Sequence, residues 1–67
     1  MRNWLVDIRR SKGLSQKAVC EAIGITQPTY WEYEHEDCKP SPQTAQKIGK
    51  FLGFDWTRFY TEQEESK

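Results

Sequence analysis

The stretch QKAVCEAIGITQPTYWEYEHE, residues 16–36, decides the fold. Ser15, just ahead of it, is a good N-cap, because its hydroxyl can accept a backbone N–H that the first helical turn leaves unpaired. A helix over residues 16–23 follows, with Val19, Cys20 and Ile23 as its inward face. Cys20 is small enough to let another helix approach and reads as core packing. Gly24 then supplies a stop and a tight turn. Thr26 caps a second helix, residues 27–35, and Pro28 falls in its first turn, where a missing N–H costs nothing. At about 100° per residue, Tyr30, Tyr33 and Glu34 share one side, and Pro28, Trp31 and Glu32 share the other. Two helices joined by a short glycine turn have the shape of a helix-turn-helix, although any αα-hairpin has part of that pattern.

Outward from this pair, Gly and Pro divide the rest of the chain into three more helices. A first helix covers about residues 2–11, where Met1, Leu5 and Ile8 recur at helical spacing with Trp4 beside Ile8, and Gly13 ends the run. Pro40-Ser41-Pro42 makes a sharp entry to a fourth helix, with Ser41 as N-cap, Pro42 at the first position and Ala45, Ile48 and Leu52 as the apolar stripe. Gly53 ends it. Asp55 caps a short fifth helix over residues 56–60, with Phe59 facing in. No alternating strand pattern appears, so the expected fold is all-α: one compact five-helix domain over residues 1–60 and a polar, frayed tail over 61–67.

Sixty-seven residues allow one small domain with a compact core. Nine of them are aromatic, a large packing contribution for so short a chain. Ten basic residues balance ten acidic ones, but unevenly. Residues 1–28 hold five bases and two acids, or +3, and residues 29–67 hold five bases and eight acids, or −3. This suggests a basic face and an acidic face, against the plainer reading of a mixed solvated surface. The two cysteines, Cys20 and Cys38, lack C-x-x-C spacing, and His35 is the single histidine, so no metal site, cofactor or redox pair is expected. No apolar run spans a membrane and no signal peptide is visible, which makes the cytoplasm the expected compartment, with both thiols reduced.

RRSKGLSQKAV, then GITQPTYWEYE, then KPSPQTAQKIGKFLGFDW together resemble the Cro/XRE-type helix-turn-helix domain of phage and bacterial repressors. The resemblance covers about residues 2–60. It rests on Arg9 ahead of KGLSQ, Gln16, Gly24, Glu34, Pro40-Ser41 and the Leu52-Gly53 ending. It implies a lambda-repressor-like domain whose third helix enters the DNA major groove, bound as a homodimer on two-fold operators. Arg9 and Glu34 match a pair that, in this family, ties the first helix to the third. Gln16 matches a residue that holds a phosphate at the start of the second helix.

Other roles follow from chemistry at these places. Gln27 can pair with adenine N6/N7 or brace Gln16. Thr29 can meet a base edge, a phosphate or a thymine methyl. Pro28 offers apolar contact only. Trp31 can contact thymine methyls or sugars, pack on a neighbouring side chain, or anchor a protein partner. Glu32 can accept from cytosine N4 or face solvent. Lys17, Thr26, Lys39 and Arg10 complete the expected phosphate-binding set with Gln16, and Lys12 adds attraction. Phe54, Trp56, Phe59 and Tyr60 crowd where a dimer surface is expected, although some of them must be core.

The pattern departs from the family after Glu34. His35-Glu36-Asp37-Cys38 stands where relatives carry Asn-Gly and then bases, and two acids beside a DNA backbone oppose binding. His35 would interact well with the dipole at its helix end. Cys38 is a loop thiol. The leading expectation is a repressor-like, sequence-specific regulator of double-stranded DNA from a phage or mobile element. The rival is a modulator or antirepressor that turns the third helix against a protein partner. Nothing makes a catalytic constellation.

Overall fold

The computed structural model describes residues 1–35 and 38–61. Five helices follow in order: α1 (Asn3–Ser11), α2 (Gln16–Ile23), α3 (Gln27–His35), α4 (Pro42–Leu52) and α5 (Arg58–Thr61). There is no strand among the described residues. The molecule is all-α, and α2, the turn at Gly24 and α3 form a helix-turn-helix.

The serine caps and glycine stops explain two of the helices. The Ser15 hydroxyl accepts from Ala18 N–H at 3.0 Å, and the Ser41 hydroxyl accepts from Thr44 N–H at 3.4 Å. Gly24, at φ 81°, lets its own N–H and that of Ile25 both reach the Cys20 carbonyl, so the chain turns at once into α3. At Thr26 the cap differs from expectation. Its carbonyl accepts from Tyr30 N–H, while its hydroxyl pairs with the Thr29 hydroxyl at 2.8 Å.

The core is built from Leu5, Val19, Cys20, Ile23, Tyr30, Ala45, Ile48, Leu52 and Phe59. α2 is central, packed against both α3 and α4, and α1 packs on α3. Met1 does not join the α1 stripe. It is 64% exposed, and Val6 is buried on that helix together with Leu5. α5 also begins later than the sequence suggests. The Asp55 carboxylate accepts from both the backbone and the hydroxyl of Thr57, folding residues 55–57 into a turn, and helix starts only at Arg58. The expected tail lies outside the described residues beyond Thr61, as do Glu36 and Asp37.

Candidate nucleic-acid interface

Burial along α3 follows its helical period. Tyr30 and Glu34 are fully buried, Tyr33 is half-buried, and Gln27, Pro28, Trp31 and Glu32 are exposed. Two fully buried side chains one turn apart fix the helix against the core, so the opposite row faces outward. Within that row Trp31 stays 43% exposed although its indole stacks on the His35 ring, with centroids 4.3 Å apart and planes within 16°. Thr29 is half-buried and its hydroxyl is shared with Thr26.

Behind the helix lies a buried ionic centre. Arg9 Nε donates to Glu34 Oε2 at 2.7 Å, and Arg9 Nη2 donates to Glu34 Oε1 at 3.2 Å. Arg9 Nη1 donates to the Leu14 carbonyl at 2.8 Å, which also fixes the α1–α2 turn. Gln16 Nε2 donates to Glu34 Oε1 at 2.9 Å and lies 3.5 Å from His35 Nε2. Gln16 therefore braces Glu34, not Gln27. What it presents outward is the start of α2, where the first N–H groups have no acceptor within the helix.

Burial alone would raise the Glu34 carboxyl pKa. The hydrogen bond from Arg9, the neighbouring Tyr30 hydroxyl, the Gln16 amide and the Arg9 charge outweigh it, and the carboxyl titrates below its ordinary value. The Glu34 hydrogen bond, against some cost of burial, likewise raises the Arg9 guanidinium. Burial, and then the Glu34 carboxylate, push the Tyr30 hydroxyl far upward. That hydroxyl is buried beside the pair with no hydrogen bond of good geometry.

The remaining side chains proposed for phosphate, Lys17, Thr26, Lys39 and Arg10, are all exposed. The aromatic set divides. Phe54, Trp56 and Tyr60 are half-buried, and the Tyr60 hydroxyl donates to the Pro40 carbonyl at 2.7 Å. Phe59, read both as facing in and as part of the expected dimer surface, is fully buried in the core. Trp4 and Phe54 meet it edge-on at 5.3 and 5.7 Å. It is a core residue and the one fully buried side chain of the short α5, with Tyr60 beside it only half-buried.

One residue of the site escaped sequence reasoning. Arg2 is only 5% exposed, and its contacts run to the far end of α3. Its backbone N–H donates to the Glu34 carbonyl, and its Nη1 donates to the carbonyls of Tyr33 and Cys38. In the sequence it is only a cation at the start of the first helix, which is common on any surface. Cys20 and Cys38 are both free thiols, the first buried and the second exposed. Among the described residues no cluster of His, Cys, Asp and Glu could hold a metal ion, and no helix is long and apolar enough to cross a membrane.

Comparison with known proteins agrees with this geometry. The helix-turn-helix family model matches residues 5–59. The chain is 43% identical over 60 residues to the uncharacterized HTH-type transcriptional regulator YqaF of Bacillus subtilis, covering 90% of this chain and 79% of that one. It is 33% identical over 61 residues to the HTH-type transcriptional regulator PuuR of Escherichia coli, covering 91% of this chain but only 33% of the relative. It is 36% identical over 47 residues to the cryptic phage CTXphi transcriptional repressor RstR of Vibrio cholerae, covering 70% of this chain and 42% of that protein. No solved structure matches it significantly. By the family model, its relatives and its fold, the chain belongs to the helix-turn-helix family of transcriptional regulators.

Proposed function

We propose that the protein is a sequence-specific, repressor-like regulator that acts in the cytoplasm, binding double-stranded DNA as a homodimer with α3 in the major groove. The observation that carries this reading is the sorting of α3. Tyr30 and Glu34 hold one side in the core, and Gln27, Pro28, Trp31 and Glu32 stand exposed on the other. In this assignment Gln27 reads adenine, Thr29, Pro28 and Trp31 make the thymine-methyl and sugar contacts, and Glu32 accepts from cytosine. The start of α2 at Gln16, with Lys17, Thr26, Lys39 and Arg10, holds phosphates. Half-buried Phe54, Trp56 and Tyr60 supply the apolar part of the dimer surface. The likeness to a cryptic-phage repressor supports a phage or mobile-element origin.

The exposure of Trp31 also suits a second reading, in which α3 docks on a basic protein as a modulator or antirepressor. Selection from a random double-stranded pool at about 0.1 M salt, where screening is already substantial, separates the two. Enrichment of a palindromic site is the expected result. A folded protein that enriches nothing overturns the DNA reading in favour of the modulator.

A further inference from the structure

Arg2 is buried, and its bonds end beside one of the residues assigned to DNA. A single nitrogen, Nη1, donates to the Tyr33 carbonyl in the last turn of α3 and, at 2.7 Å, to the Cys38 carbonyl in the segment that follows. The Arg2 backbone N–H takes the Glu34 carbonyl at 2.7 Å. The guanidinium also lies 5.3 Å from the centre of the Phe59 ring, which joins the arrangement to the core. Carbonyls in the last turn of a helix have no acceptor role within it, and a cation at that end is favoured by the helix dipole. These two facts account for the bonds to Tyr33 and Glu34. They do not account for the bond to Cys38, which lies beyond the helix.

The Cys38 carbonyl belongs to the peptide unit that carries the Lys39 N–H. That unit is planar, so holding its oxygen restrains the plane from which Lys39 leaves. Arg2 thus ties the backbone of Lys39 to the end of α3 through one guanidinium nitrogen. Lys39 itself is exposed. We propose that Arg2 is a positioning residue for DNA binding, one that touches no DNA and acts by holding Lys39 in register with α3 for a phosphate contact. This inference rests on the DNA reading above.

The test is the salt dependence of binding to a fluorescein-labelled DNA duplex of mixed sequence, followed by anisotropy, for wild type, Arg2→Met, Arg2→Lys, Lys39→Gln and the Arg2→Met/Lys39→Gln double variant. Each phosphate contact contributes about 0.9 to the slope of log Kobs against log salt. Lys39→Gln and Arg2→Met are each expected to shallow the slope by about that amount, and the double variant to shallow it no further. A residue that merely stabilised the fold would lower the competent fraction alike at every salt concentration, moving the line without changing its slope. Arg2→Met with the wild-type slope therefore overturns the inference, as does Lys39→Gln with the wild-type slope. If Arg2→Met does not fold by circular dichroism, Arg2→Lys is read the same way. Lys keeps the charge and loses the planar donor set, so a shallower slope supports the inference and an unchanged one overturns it. Wild type that binds no duplex at any salt concentration overturns the DNA reading itself, and this inference with it.

Discussion

Glu34 and Glu32 stand two residues apart on α3, and their surroundings are opposite. Glu34 is fully buried and held by Arg9 and Gln16, whereas Glu32 is exposed. An acid on a helix proposed to face DNA is tolerable when its charge is neutralised behind the helix. The Arg9–Glu34 pair was legible in the sequence only through family resemblance, because a buried ion pair leaves no periodic trace. The Gln16 side-chain contact is hidden for a related reason: sequence spacing shows that Gln16 starts α2, and only packing shows that its amide reaches Glu34. Arg9→Met should cost about 3–5 kcal/mol in urea unfolding, since it leaves Glu34 charged and unpaired. Replacing both partners by methionine should recover part of that loss, and a double variant as unstable as the single one would contradict this account. Gln27→Ala belongs to the opposite face. It should change stability by less than about 0.5 kcal/mol and weaken specific DNA binding by roughly 1–3 kcal/mol, read from unfolding and anisotropy titrations. Equal affinity would remove Gln27 from the reading set.

At the scale of elements, the boundaries that the sequence marked with chemistry are the ones that hold. Ser15 and Gly24 delimit α2, and Ser41 and Gly53 delimit α4. α5 was placed two residues early because Asp55 can cap a helix or fold a turn, and the Thr57 hydroxyl beside it selects the turn. The inward reading of Phe59 agrees with its full burial, but the aromatic run around it has no period from which to sort Phe54, Trp56 and Tyr60. Gly49 gave no signal either. It looks like a mid-helix liability, yet a Cβ there would lie 2.8 Å from the Phe54 carbonyl oxygen and 3.0 Å from Trp56 Cβ. The chain after α4 folds back directly over this glycine, and that close approach sets where α5 lies. Gly49→Ala should therefore destabilise by about 1–3 kcal/mol despite the better helix propensity of alanine. A gain in thermal midpoint would show that the segment after α4 can shift at little cost. Ser15→Ala, which removes the better of the two serine caps, should cost about 1 kcal/mol.

On the scale of the whole molecule, one buried cluster sets both ends of the pH range. Glu34 titrates below its ordinary value of 4.5 when folded, owing to Arg9, Tyr30 and Gln16. As pH falls through that interval, the unfolded chain takes up a proton that the folded one refuses, so stability is lost on the acid side. Tyr30 works in the other direction. Its ordinary value is 10.0, and burial beside the Glu34 carboxylate raises it well above that when folded. Above about pH 10 the unfolded chain releases a proton that the folded one keeps, so stability falls as pH rises. Tyr33, raised first by burial, adds to the same alkaline limb. Urea midpoints measured against pH should form a plateau from about pH 5 to about pH 9 with a fall on each side. Tyr30→Phe isolates one limb. It removes a buried hydroxyl that has no well-formed partner, so stability at pH 7 should stay within about 1 kcal/mol of wild type. The alkaline fall should become shallower, because only Tyr33 then remains of the two raised tyrosines, and the acid limb should persist because Arg9 still holds Glu34. An alkaline limb as steep in Tyr30→Phe as in wild type would mean that the hydroxyl ionises freely in the folded protein, and would place water where the structure has packed side chains.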